Sequence, residues 1–372
     1  MNMGKSPNNR IGWINTLKGI ACWVVFLGHF DDDFPYIPVV QRFYEKGDLL
    51  RFISEKTTAL NIFYVISAFL VAYGFLKEDD KFLHKAGKGI LKRYFRLALP
   101  VLFTDFLIII IQVAGFGFGN ELGMFGSKYT VPAAIWDAMV AGPFFGSVYF
   151  NPNMWMLNQL FIGYVFAIVI CMVIKHLKKT AGNVFLIALT AVLWISGSWL
   201  TPFVFGVFLY LFNTRAEADS KGNALKNCFG VLLVIAGCLL ASYCRRIVLE
   251  MPESVPETPL RIWFSYCWLA AMVLVLGIVL SPALKHVLEI GFLPKLGKIC
   301  FPVYLFHRIW MASFGVLAFS RVFDSTQSKD KANLAAFVTC FLLTIISSFV
   351  YICLLEPPIN KLTDKIMTKV SK

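Results

Sequence analysis

The stretch Asn15-Thr16-Leu17-Lys18-Gly19-Ile20-Ala21-Cys22-Trp23-Val24-Val25-Phe26-Leu27-Gly28-His29 forms most of the first apolar run long enough to cross a bilayer, and it holds a lysine and a histidine. At ~100° and ~1.5 Å per residue, Lys18 and His29 are offset by only about 20° around a helix and about 16 Å along it. Both therefore point one way, stacked along one wall. An ionisable side chain inside a bilayer costs roughly 2.5–3.5 kcal/mol on insertion scales, so two on one face point to a polar cavity spanning part of the membrane. The plain alternative for either residue alone is a satisfied packing side chain, or one that snorkels to the interface.

Similar apolar runs recur from end to end. The chain has 372 residues, 58% of them hydrophobic, with 36 Phe, a composition foreign to soluble globular domains. Runs of about 20 apolar residues suit transmembrane helices, and the apolar stretches give ten candidate spans: 13–30, 57–76, 97–119, 153–174, 183–199, 200–213, 228–244, 261–280, 299–319 and 334–354. The expected fold is an all-α polytopic membrane helix bundle of about ten transmembrane helices. Residues 1–372 read as a single membrane-embedded domain with no appended soluble domain. The fifth and sixth spans are short, and Gly197 to Pro202 between them reads as a tight turn or as a break in one re-entrant element. Lys5 and Arg10 precede the first run, but no small-residue cleavage site follows, so it reads as a retained span.

Placing the N-terminus inside puts 22 Lys and Arg in cytoplasmic segments against 11 outside, with Lys18 and Arg308 in the membrane. Both termini are therefore expected in the cytoplasm. The net charge of +13 is spread over short loops between spans, which suits anionic membrane lipids and not nucleic acid. The longest outer segments, Asp31 to Lys56 and Asn120 to Pro152, are candidate caps over an outward-facing site. The nine cysteines lie in or beside apolar runs without C-x-x-C or ligand spacing, and read as packing residues. No metal site is expected.

In this orientation His29 lies near the outer end of its span and Lys18 nearer the cytoplasm. Histidine is the side chain best suited to take a proton near neutral pH. One of Asp31, Asp32 and Asp33 could orient it, unless the three form a solvated acidic loop. In Lys92-Arg93-Tyr94-Phe95-Arg96 the two arginines share a helical face at the cytoplasmic mouth of the third span. They suit phosphate groups, or serve as a stop-transfer cluster. Asn153-Met154-Trp155-Met156-Leu157-Asn158-Gln159 sets amides and Trp155 at helical spacing, to bind a hydroxylated ligand or to knit helices. Tyr304, His307 and Arg308 lie within the ninth span, with Asp105 of the third as a candidate counter-ion for Arg308. No nucleotide-binding loop, nucleophile elbow or zinc signature occurs.

Together these motifs resemble acyltransferase family 3, the membrane-bound bacterial O-acyltransferases of cell-surface carbohydrates, over essentially the whole chain. Trp13 through His29 is similar to the opening motif, in which a basic residue, here Lys18, precedes the active-site histidine, here His29. Asn61 to Leu70 resembles the F-F-V-I-S-G-F-L segment, Arg93 and Arg96 the R-x-x-R pair associated with the acyl donor, and Met154 to Leu157 the Leu-Trp motif. Gly297 to His307 is similar to G-x-x-S-Y-x-x-Y-L-x-H, and Glu356-Pro357-Pro358 to the closing Glu-x-Pro. Asn15, where Asp is usual, and Ala68, where Gly is usual, depart from the pattern, as do Leu160 and Phe161, where many members carry an acid.

The resemblance implies transfer of an acetyl group from cytoplasmic acetyl-CoA to a hydroxyl of a cell-surface carbohydrate by a multi-pass plasma-membrane enzyme. His29 and Lys18 would be catalytic, Arg93 and Arg96 would bind the donor, and Trp155, Asn158, Tyr304 and His307 would line the acceptor site. Many relatives append an extracytoplasmic domain that completes the transfer; here a separate extracytoplasmic acyltransferase could take that part as a partner. The other classes that fit ten spans with a polar wall are a transporter or flippase of a lipid-linked sugar and a non-catalytic envelope protein. The first is disfavoured by the lack of inverted repeats. The second would tolerate loss of His29 and Lys18.

Overall fold

The structure, a computed structural model, describes residues 12–34, 48–76, 82–117, 129–218, 224–250 and 257–370. Lys5, Arg10, and parts of the two outer segments expected as caps, 35–47 and 118–128, lie outside the described residues. Among those described, every regular element is helical. In chain order they are α1 (Gly12–Asp33), α2 (Lys56–Phe75), α3 (Phe82–Val113), α4 (Val131–Phe145), α5 (Trp155–Lys175), α6 (Lys179–Ile195) and α7 (Thr201–Ala218). They continue as α8 (Ala224–Glu250), α9 (Glu257–Leu280), α10 (Pro282–Leu288), α11 (Leu296–Trp310), α12 (Val316–Thr326), α13 (Lys329–Val350) and α14 (Glu356–Val370).

The protein is an all-α polytopic membrane bundle. Among the described residues, seven stretches are long and apolar enough to cross a membrane: α2, α3, α5, α8, Leu260–Leu280, Leu293–Thr326 and Lys329–Lys369. They match seven of the ten expected runs. Two more runs form α6 and α7, which are shorter apolar helices; the 17 residues of α6 reach roughly 26 Å at ~1.5 Å each, just short of a ~30 Å hydrocarbon core. The tenth run is α1, whose 22 residues include Lys18, His29 and three aspartates. Between α6 and α7 the chain makes a tight turn, with Gly197 left-handed at φ 69° and Thr201 Oγ1 donating to the Ser198 carbonyl at 2.7 Å. Only a residue without Cβ takes that conformation freely.

The chain forms two compact units. The first comprises Met1–Leu27, Phe43–Lys77 and Phe166–Phe301. Its helices pack through aromatic pairs, with Tyr64 stacked on Phe203 at 5.0 Å and Phe69 edge-on to Trp13 and Tyr210 at 6.0 and 5.6 Å. The start of α1 is tied down by the Thr16 hydroxyl, which donates to the Leu288 carbonyl. Glu55 caps α2, its Oε1 accepting the backbone N–H of Thr57 and Thr58 at 3.0 and 3.2 Å, two of the donors a helix start leaves unsatisfied.

The second unit comprises Gly28–Arg42, Glu78–Val165 and Pro302–Lys372. Tyr94 Oη donates to the Met139 carbonyl at 2.5 Å, fastening α3 to α4. Lys92 Nζ pairs with Asp364 at 2.7 Å between α3 and α14. Three π-helical segments occur here, Asp137–Phe145, Met311–Gly315 and Tyr351–Leu355; such irregular turns are frequent at functional sites.

Glu55 gives this fold a pH dependence. Burial pushes its carboxyl up to about 7, against the Arg245 guanidinium and the two N–H bonds that favour ionisation. A carboxyl that titrates higher folded than unfolded makes the folded state hold the extra proton, so stability falls as pH rises from about 4.5 through about 7. Glu55→Gln is expected to flatten that slope. Melts in detergent at about pH 5 and about pH 8 should show wild type losing more stability than the variant, and equal losses would remove Glu55 from the account.

Candidate active site

In the second unit the end of α1 meets the C-terminal half of α11. The imidazoles of His29 and His307 lie 5.3 Å apart between ring centroids, tilted by 40°, and the Tyr304 ring stands 5.7 Å from His307. Tyr304 and His307 are three apart on α11 and share a face. His29 is half-buried, whereas His307 is buried.

The surroundings of His307 fix its tautomer. Nδ1 faces the carbonyls of Val303 and Tyr304 at 3.1 and 2.9 Å; a bare lone pair there would be repelled, so Nδ1 carries the proton. Nε2 then accepts from Asn153 Nδ2 at 3.1 Å. Both nitrogens are engaged, and His307 is held in a fixed orientation against His29. The support continues outward. Tyr304 Oη donates to the Asn153 carbonyl, Asn153 N donates to Asn151 Oδ1 at 3.1 Å, and Asn151 Nδ2 donates to the Leu305 carbonyl at 3.2 Å. The sequence Asn151-Pro152-Asn153 thus locks the turn of α11 that carries both rings. The amides before α5, read as ligand contacts or as helix-knitting groups, knit helices at Asn153. Asn158 does likewise, its Nδ2 donating to the Pro143 carbonyl at 2.8 Å. Trp155 is 36% exposed.

One expectation is corrected here. Arg308 pairs with Asp33 at the end of α1, both side chains about nine-tenths buried. Asp105, expected as its counter-ion, has neither carboxylate oxygen hydrogen-bonded among the described residues, and its electrostatic neighbour is Asp137 of α4. Asp33 belongs to the helix and to the ion pair, not to a solvated loop.

The polar wall read along α1 is interrupted. Lys18 and His29 are half-buried, but between them on the same side Cys22, Val25 and Phe26 are at most 2% exposed. The arginines of α3 also divide. The Arg93 guanidinium lies over the Tyr164 ring, 5.3 Å from its centroid, while Arg96 is exposed and within electrostatic reach of Tyr351 and Asp364.

The model of an acyltransferase domain matches residues 11–353, nearly the entire chain. The chain belongs to acyltransferase family 3. Comparison with curated proteins and with solved structures gives no match. The protein is thus a membrane acyltransferase, and every motif quoted above lies within the matched residues except Glu356-Pro357-Pro358.

Of the residues singled out in sequence, the fold of this acyltransferase brings His29, Tyr304 and His307 together. The ring support from Asn151 and the pairing of Asp33 were not anticipated. Breaking a buried ion pair strands the remaining charge, at a cost of about 3–5 kcal/mol. Arg308→Met alone should therefore lower the detergent melting temperature sharply, and adding Asp33→Asn should recover much of the loss. A double variant as unstable as the single one would show that packing, not charge, is what Arg308 supplies.

Proposed function

We propose that this acyltransferase is a plasma-membrane O-acetyltransferase that moves an acetyl group from cytoplasmic acetyl-CoA to a hydroxyl of a cell-surface carbohydrate. The observation that supports the reading is half-buried His29, its ring 5.3 Å from that of His307, which is itself held by Asn153 and by the carbonyls of Val303 and Tyr304.

His29 serves as general base toward the acceptor hydroxyl or as a transient acetyl carrier. As the acceptor oxygen attacks the thioester carbonyl, His29 takes the hydroxyl proton; the carbon–sulfur bond of the donor breaks, and the departing sulfur ends as the thiol of coenzyme A. Lys18, about 16 Å from His29 along α1, helps hold the donor. Arg96, exposed and one turn from basic Lys92 on α3, takes the donor phosphates on this reading. Arg93, held against Tyr164, supplies fixed charge behind it. Tyr304 and His307 form the wall against which the acceptor sits, and Trp155 is an exposed aromatic surface for a sugar ring. Asn158 shapes that region through Pro143. On this reading both termini are cytoplasmic, no metal takes part, and a separate extracytoplasmic acyltransferase is the partner wherever this chain does not finish the transfer itself.

General-base histidines typically contribute roughly 10²- to 10⁴-fold. His29→Ala should lower acetyl transfer by about that factor at unchanged membrane abundance. Proton NMR of purified cell-surface polysaccharides from wild-type and His29→Ala strains reads it as lost O-acetyl methyl signals. Full acetylation in the variant would sink the assignment.

A further inference from the structure

In the second unit, α3, α4 and the start of α5 enclose a cavity of about 10 Å³ whose wall shows no polar surface. Leu97 and Val101 of α3 face Leu157 of α5 across it, and Gly142 and Pro143 of α4 form a third side. Tyr94 and Phe161 close one end. Their rings stand 6.1 Å apart, and each touches the ring of Phe144, at 5.7 and 5.8 Å. The polar groups nearest this wall are already used: the Tyr94 hydroxyl donates to the Met139 carbonyl, and the Pro143 carbonyl accepts from Asn158. At the other end lies Met154, 1% exposed. It follows Asn153, whose side chain holds His307 and whose carbonyl takes the Tyr304 hydroxyl. Tyr94, at the first end, follows Arg93 directly and precedes Arg96 by two residues.

A void of this volume has room for about one water molecule, and a void with an apolar wall stays dry and takes small apolar groups instead. Left empty it costs stability, because the atoms around it lose contacts. The fold nonetheless keeps it open. Gly142 brings no side chain to the wall, and the π-helical course of α4 leaves no space to add one, since a Cβ there would lie 2.9 Å from the Asp137 carbonyl oxygen. We infer that this cavity receives the methyl end of the donor's acyl group and selects acetyl against longer acyl chains, with Leu157 and Val101 as the residues that set the limit. The inference rests on the acyl-transfer reading above and names the part of the protein that chooses the acyl group; it adds no step to the reaction. Its place suits that task, between the arginine pair assigned to the donor phosphates and the amide that holds His307. The walls suit it as well. Three rings in mutual contact and a proline yield little, so a longer chain has to displace packed side chains to enter.

The test uses the full-length protein, purified in detergent and supplied with cell-surface polysaccharide as acceptor and with acetyl-, propionyl- or butyryl-CoA as donor. Release of free coenzyme A gives kcat/KM for each donor. One methylene that does not fit a hydrophobic pocket costs about tenfold or more, so wild type should fall by at least about that factor from acetyl to propionyl and again to butyryl. Leu157→Ala lengthens the cavity and should raise the butyryl-to-acetyl ratio at least about tenfold. Val101→Ala removes less from the same wall, is the gentler change for folding, and should move the ratio the same way by a smaller factor. The ratio is taken on one preparation, so a lowered folded fraction does not alter it. Wild type that uses the three donors equally, or an unchanged ratio in both variants, would overturn the inference while leaving acyl transfer from coenzyme A intact. Wild type that releases no coenzyme A from any of the three donors would overturn the proposed function and the inference with it.

Discussion

A guanidinium inside an apolar bundle must be neutralised where it stands, and in this acyltransferase Asp33 does so for Arg308. The pair joins the last turn of α1 to the last turn of α11, and that junction sets which residues meet. Arg308 follows His307 directly, and Asp33 lies one helical turn beyond His29. Fixing one end of each helix to the other therefore brings the two imidazoles to 5.3 Å. Without it, nothing in the spacing of α1 alone would set His29 against His307. Taking two charges out of water costs several kcal/mol per ion before their attraction returns it, so such a pair is a poor source of stability. It is better understood as a device of register.

The apolar runs were legible in the sequence because a bilayer imposes one length and one composition on whatever crosses it. All ten have helical counterparts, and the Gly197 turn lies where the break was read. Lys18 and His29 were legible for a related reason: their spacing along one helix is local information. Asp33 was not, since nothing in the run Asp31-Asp32-Asp33 shows that α1 continues through it to an arginine 275 residues away. Asp105, the acid already inside a span, was the natural but wrong partner. The helix α4 was hidden for a different reason. It is short, most of it is π-helical, and Pro143 lies inside it, so no period of 3.6 marks it out.

Arg93 and Arg96 show how far a motif can be read before its geometry is known. Their spacing places both on one side of α3, and in an isolated helix they would act as a pair of forks. In the folded unit Tyr164 takes the face of Arg93, and cation–π stacking is a use for which the planar guanidinium is suited. The motif is therefore asymmetric, with one arginine held as fixed charge and the other presented.

The interrupted wall on α1 bears on how two titratable centres are kept apart. Lys18 lies at one end of that face and His29 at the other, with Val25 and Phe26 fully packed between them. A continuous polar groove would carry water and protons along the helix. Apolar side chains at that level deny water the hydrogen bonds it needs to stay. On the reading proposed above, donor chemistry belongs with Lys18 and proton removal with His29, and the two are called on from opposite sides of a membrane. Packed Val25 and Phe26 deny such a leak its path along this face of α1.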